Sequence, residues 1–336
     1  MKIAFFDSSG LVYNVDSPLQ EPLGGTESAI CYLAKELRKV CQVEVCIQGK
    51  SDINNFDVVV VNSNPSLGPT LRQAGFKGIL ILWHGQDVDQ GCLRPLLDKS
   101  VVDSWDWIML GSGWQKSQHD CHFPLCREKS SFIRLGSGIP WGVDLVKEPV
   151  CVYCSTPYRG LDKLVEAWPL VKKEVPWAKL EVYSGMNLYG RPETGFEGLY
   201  SRVRELEDCS YSACVSQTEL AAVLSRACVL SYPCTFRETF CVSLADAMCS
   251  GVYPVIGDVG ALRETSLGFG SLVRLGPGFV ERWASEVVRV LESIAAGELS
   301  EEIEGMVKVA RSHYDWGGIA GEWMCLFERL LRGKVC

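Results

Sequence analysis

Four short segments of the 336-residue chain carry residue types that could do chemistry. The segment Tyr232-Pro-Cys-Thr-Phe-Arg-Glu-Thr-Phe-Cys-Val-Ser-Leu-Ala-Asp246 holds two acids, Glu238 and Asp246. If Glu238 opens a helix, the acids lie about 12 Å apart along its axis on neighbouring faces. That reach suits a ligand with polar groups at both ends and phosphate between them. The amides of Thr239, Phe240 and Cys241 would then lie at the positive end of the helix. A helix carrying two unrelated acids reads the same way. In Tyr153-Cys-Ser-Thr-Pro-Tyr-Arg-Gly-Leu-Asp-Lys163, a strand, a turn and a helix start follow one another. The planar fork of Arg159 could clamp a diphosphate there, with Lys163 one helical turn on. The bland alternative is a pair of exposed surface cations.

The other two segments fall earlier. Pro22-Leu-Gly-Gly-Thr-Glu-Ser28 is a loop that opens a helix. Gly24 and Gly25 let a ligand approach the backbone, Thr26 can cap the helix, and the free amides favour an anion. It is neither a full dinucleotide fingerprint nor a P-loop, and an ordinary glycine turn fits equally. In Trp83-His84-Gly-Gln-Asp87, His84 stands at the end of a buried strand. It could donate to a sugar or leaving-group oxygen, act as acid or base, or bond only to backbone.

These segments need strands and helices to hold them. Runs rich in Val and Ile without polar alternation predict buried parallel strands at Ile3–Phe6, Val43–Ile47, Val58–Val61, Ile79–Trp83, Trp107–Leu110 and Phe132–Leu135. The rhythm repeats at Val150–Ser155, Leu180–Tyr183, Ala213–Val215, Cys228–Tyr232, Tyr253–Ile256 and Ser271–Val273. Ile30, Leu33, Ala34 and Leu37 have helical spacing, as do Leu161, Leu164, Val165 and Trp168, although Pro169 should kink or shorten the second helix. The pattern predicts an α/β chain of two doubly wound domains. Their expected bounds are 1–145 and 146–312, followed by a helical segment at 313–336 with a Trp323, Leu326, Phe327, Leu330 stripe.

The chain is 47% hydrophobic and carries a net charge of −8, which excludes a disordered chain and argues against nucleic acid as a partner. No run is long enough to cross a bilayer, and Met1–Asp7 reads as a first strand rather than a leader. Sixteen cysteines in so long a chain, many inside apolar runs, read as reduced packing residues of a cytoplasmic protein. Cys151 and Cys154 should point to opposite faces of one strand. His119, Cys121, His122 and Cys126 are too compressed for a tetrahedral zinc and read as a loop after a helix.

Taken in order, the segments resemble the retaining glycosyltransferases of the GT-B fold, family GT4. The resemblance covers roughly residues 1–275 and rests on Gly24-Gly-Thr-Glu27, His84, Leu110-Gly-Ser-Gly-Trp-Gln115, Ile139-Pro-Trp-Gly-Val-Asp144, Tyr158-Arg-Gly-Leu-Asp162, Glu238 with Asp246, and Gly251-Val-Tyr-Pro-Val-Ile256. It implies two Rossmann-like domains facing a cleft, with acceptor bound by the first and nucleotide sugar by the second. The final helix would cross back to the first domain. It further implies a UDP- or GDP-sugar donor, a glycan or glycolipid acceptor, peripheral membrane contact for a lipid acceptor, and no obligatory metal. Glu238 would bind sugar hydroxyls and Asp246 the ribose. Arg159, with Ser155, Lys163 and the amides of Thr239–Cys241, would hold the phosphates, and Gly24 and Gly25 would close over them. His84, Arg159 and Glu238 make the expected catalytic set. Base contacts are expected from Ser212–Gln217, and Trp83, Trp114 and Trp141 could stack on sugars or pack in cores. Two residues depart from the family pattern: the second acid is Asp246 rather than Glu, and an arginine expected near Ser155 is missing. The alternatives on this fold are a nucleotide-sugar epimerase, a pyridoxal-phosphate phosphorylase, or a binding subunit without activity.

Overall fold

The computed structural model describes residues 1–47, 52–140 and 147–334. The chain divides into two compact units. The first comprises Met1–Ser17, Gly25–Gly136 and the chain from Asp315 onward. The second comprises Pro18–Gly24 and Ser137–Tyr314. Trp141 and most of the Ile139–Asp144 motif lie outside the described residues.

Strands of the first unit are β1 (Lys2–Asp7), β2 (Gln42–Ile47), β3 (Val58–Asn62), β4 (Ile79–Trp83), β5 (Trp107–Leu110) and β6 (Ser130–Phe132). Those of the second are β7 (Val150–Cys154), β8 (Lys179–Tyr183), β9 (Cys209–Ser212), β10 (Val229–Tyr232), β11 (Tyr253–Gly257) and β12 (Ser271–Val273). The sheet orders are β2-β1-β3-β4-β5-β6 and β12-β11-β10-β7-β8-β9, with every described pairing parallel. Both are doubly wound, as the alternating pattern predicts, and β3, β4, β7, β10 and β11 are buried along their whole length. Such strands read as continuous apolar runs because helices cover both faces.

Two strands fall elsewhere than predicted. Both β6 and β9 end where Phe132–Leu135 and Ala213–Val215 were expected to begin or continue. They are sheet edges of polar sequence, Ser-Ser-Phe and Cys-Ser-Tyr-Ser, so hydrophobic patterning misplaces them.

The helices that position the chemistry are α1 (Gly25–Leu37), α2 (Gly113–His122), α3 (Leu161–Glu174), α4 (Val242–Cys249), α5 (Phe279–Ala295) and α6 (Trp316–Lys334). In α1 the predicted stripe of Ile30, Leu33, Ala34 and Leu37 is buried. Thr26 lies inside its first turn rather than capping it, because the helix already begins at Gly25. Pro169 does not shorten α3, which runs five residues further, its apolar stripe of Leu161, Leu164, Trp168 and Val171 holding it to the sheet. In the first unit, α6 covers the sheet with Trp323, whose ring lies 5.0 Å from that of Trp83. Trp83 is thus a core residue and not a stacking platform.

Cys151 and Cys154 are buried in β7, and Cys31, Cys126, Cys228, Cys234, Cys241 and Cys249 are buried too, as packing residues should be. Around His119, the expected loop is instead the last turn of α2. His119 faces the core while Cys121 and His122 are exposed, so these ligands point apart.

Candidate functional site

In the second unit, chemistry gathers where β7 and β10 end. Strand β10 delivers Tyr232, after which Pro233 turns the chain into an irregular stretch running to Cys241, the N-cap of α4. Glu238 therefore precedes the helix instead of opening it, and it shares no helical face with Asp246. The stretch is held by backbone bonds, Cys234 N–H to the Tyr232 carbonyl at 2.7 Å and Ala261 N–H to the Glu238 carbonyl at 2.7 Å. These satisfy groups that a helix would have satisfied internally, which is why the helical reading of the sequence fails here.

The turn between β7 and α3 presses on this stretch. Gly160 has φ +99°, and a Cβ at that position would lie 2.1 Å from the Pro233 carbonyl oxygen, so only glycine fits. The close approach places Arg159 beside Glu238, with Nε 3.3 Å from Oε1 but outside hydrogen-bond geometry. The Arg159 guanidinium also lies over the rings of Tyr158 and Phe236, at 5.6 and 5.3 Å from their centres. Glu238 is 4% exposed and Arg159 24%, so the acid is inside and the cation reaches out. The Tyr232 hydroxyl donates to Glu238 Oε1, and Ser155 Oγ stands 3.4 Å from that hydroxyl. Burial pushes the Glu238 carboxyl up from its ordinary range, while the Arg159 charge and the Tyr232 hydrogen bond pull it back. Ser243 Oγ, in the first turn of α4, donates to the Cys154 carbonyl at 2.8 Å and ties that helix to the end of β7.

Arg159, Ser155 and Glu238 are thus brought together, and Thr239, Phe240 and Cys241 follow directly. Two of the predicted residues stand apart. Lys163 is held along α3 by Asp162 at 3.2 Å and Glu166 at 3.1 Å. Asp246 lies inside α4, almost fully buried, accepting from Ser137 Oγ at 2.7 Å and Gly138 N–H at 3.1 Å. Its other oxygen, Oδ2, has no hydrogen-bond partner, and burial pushes the carboxyl up to about 6. Sequence reasoning missed Tyr232 as a site residue. The only signal was its position, at the last residue of a predicted strand and six before the acid.

In the first unit, His84 follows β4 and is buried, its ring 5.3 Å from that of His119. Neither ring nitrogen of His84 has a hydrogen-bond partner, and burial, then the neighbouring His119, hold it well below its ordinary value. That shift favours the uncharged imidazole at neutral pH. Gln115, from the Leu110–Gln115 motif, fixes the backbone around it. Gln115 Nε2 donates to the carbonyls of His84 at 3.2 Å and Gln86 at 2.9 Å, and Oε1 accepts from Gly111 N–H at 2.7 Å. Gly25 starts α1, while Gly24 ends the short Pro18–Gly24 segment of the second unit, where Thr218 Oγ1 donates to the Leu19 carbonyl at 2.8 Å. Among the described residues no group of three or more His, Cys, Asp or Glu is placed to hold a metal ion.

Known proteins give this geometry a context. Residues 148–293 match the family described as glycosyl transferases group 1. No curated protein matches the sequence. Among solved structures, sucrose-phosphate synthase from Thermosynechococcus elongatus superposes with a TM-score of 0.76 at 16% identity, covering 99% of this chain and 100% of that one. A glycosyltransferase from Rickettsia africae gives 0.73 at 10% identity, covering 98% of each chain. Anabaena HepE in complex with UDP and glucose gives 0.67 at 15% identity, covering 98% of this chain and 100% of that one. The chain has the GT-B fold of these structures, and its residues 148–293 match the glycosyl transferases group 1 family.

Proposed function

We propose that the protein transfers a sugar from a UDP- or GDP-sugar to a hydroxyl of a glycan or glycolipid, retaining anomeric configuration and without a metal. The observation that carries this reading is the Arg159–Glu238 pair at the ends of β7 and β10, a partly exposed cation against a buried acid. In open parallel sheets ligands bind beyond the carboxyl ends of the strands. Arg159 would meet the diphosphate, supported by Ser155 and by the Thr239–Cys241 amides ahead of α4. Glu238 would accept from sugar hydroxyls, and the unpartnered Oδ2 of Asp246 from the ribose. Lys163 takes no part, its ammonium being held by its own helix.

The bond from the anomeric carbon to the diphosphate oxygen breaks with its electron pair on the leaving group. The acceptor oxygen bonds to that carbon from the same face, and its proton passes to the departing phosphate oxygen. Arg159 and the helix start offset the charge that develops on the diphosphate, the contribution a divalent cation makes elsewhere. We assign acceptor recognition to the first unit, with His84 offering a neutral imidazole to a hydroxyl. No helix among the described residues is long and apolar enough to cross a membrane, so a lipid acceptor would be met at a membrane surface.

The test begins with thermal shifts on UDP, GDP and ADP to identify the base, since binding to the native state raises its melting point. Transfer from the matching sugar donors is then followed with and without EDTA, and the product anomer assigned by NMR. Glu238→Ala should lower turnover at least a hundredfold. An inverted product overturns the retaining mechanism, and equal, negligible turnover by both proteins overturns the enzyme assignment.

A further inference from the structure

Glu238 has two supports of different kinds. Arg159 is a partly exposed cation, for which a diphosphate would compete. Tyr232 is fixed at the end of a central strand, fully buried, with its hydroxyl already on Glu238 Oε1. Its ring packs 5.8 Å from that of Tyr153, whose own hydroxyl donates to the Thr156 carbonyl at 2.7 Å. Ser155 Oγ, 3.4 Å away, lies beside the Tyr232 hydroxyl. Once a donor occupies Arg159, Glu238 keeps only the support that cannot be drawn away. A carboxylate has two oxygens, and a donor fixed on Oε1 leaves Oε2 with a defined direction for a sugar hydroxyl.

We propose that Tyr232 is a positioning residue for sugar recognition, orienting the Glu238 carboxylate through Oε1 so that Oε2 reads a donor hydroxyl after Arg159 has turned to the diphosphate. The idea rests on the reading of Glu238 as the sugar-binding acid. It predicts that Tyr232 matters for the sugar half of the donor and not for the nucleotide half.

Affinities of a nucleoside diphosphate and of its glucose conjugate are compared by calorimetry, using whichever of UDP, GDP and ADP binds the wild type. The ratio of the two is the sugar increment. Tyr232→Phe should cut that increment about tenfold, the usual size of a lost hydrogen bond to a charged group, with the diphosphate affinity within twofold of wild type. Ser155→Ala, which frees the Tyr232 hydroxyl without touching its ring, should cut it two- to threefold and serves if the phenylalanine variant does not fold. Glu238→Ala should abolish the increment, and adding Tyr232→Phe to it should cost nothing more. An increment unchanged by Glu238→Ala sinks the role of Glu238 itself. If Glu238→Ala abolishes the increment but Tyr232→Phe leaves it intact, or if the double variant loses further, Tyr232 does not act through Glu238 and the proposal fails alone.

Discussion

Glu238 keeps a cation within 3.3 Å and a phenol hydroxyl on Oε1, whereas Asp246 is met by a serine hydroxyl and the backbone amides of Gly138 and Ile139, with no cation among the described residues. The difference shows in the proton. With its carboxyl pushed up to about 6 by burial, Asp246 holds its proton more tightly folded than unfolded. The native state therefore binds more protons between the ordinary aspartate range and pH 6, and stability falls as pH rises through that window. Asp246→Asn, which keeps the acceptor for Ser137, should match the wild type near pH 4. At pH 7.5 it should be more stable, by up to about 3 kcal/mol from the size of the shift. Urea titrations at the two pH values check this, and a wild type more stable at pH 7.5 would contradict it. Gln115 has the opposite character, a neutral residue satisfying three buried backbone groups. Gln115→Ala should cost the first unit about 2–4 kcal/mol and release the His84 loop, visible as faster hydrogen exchange at Gly111.

The turn at Gly160 does more for the chemistry than any propensity visible in the sequence, because its lack of a Cβ lets the Arg159 turn seat on Pro233. Gly160→Ala should destabilise the second unit by about 1–3 kcal/mol and weaken nucleoside diphosphate binding more than tenfold, as Arg159 is pushed away from Glu238. Calorimetric melting and titration would show both losses, and normal affinity would mean the turn has another seat. The elements around it were unevenly legible. Buried strands such as Val58–Asn62 and Ile79–Trp83 announce themselves because both faces are covered. The edges β6 and β9 do not, since half of each faces outward and polar residues suffice. Arg159, Ser155 and Glu238 could be read from spacing after strand ends. The true start of α4, and with it the separation of Glu238 from Asp246, could not. That start is decided by backbone partners near Gly257–Ala261, some twenty residues downstream in the chain.

Each of the two units has cores of its own, and the residues from Trp316 onward belong to one in the first unit. Trp323 fills space between α6 and β4, against Trp83 and 5.5 Å from Phe327. Trp323→Ala should cost the first unit about 3–5 kcal/mol by the cavity it leaves. Nucleoside diphosphate affinity and the melting of the second unit should stay unchanged, which scanning calorimetry with and without nucleotide can separate. A nucleotide affinity that fell with it would mean nucleotide binding depends on the first core. The net charge of −8 acts on the molecule as a whole and says little about the local field around Arg159, just ahead of α3.

The first unit begins the chain and also ends it, with the entire second sheet inserted between. During synthesis at roughly 5–20 residues per second, β7–β12 are thus complete while the first sheet still lacks the helix that seals it. For those seconds a ribosome-bound chain presents a complete second sheet joined to a first sheet with α1 but not yet α6 on one face. The unit that begins first can complete its core only last, when Trp323 and Phe327 arrive to join Ile30 and Leu33.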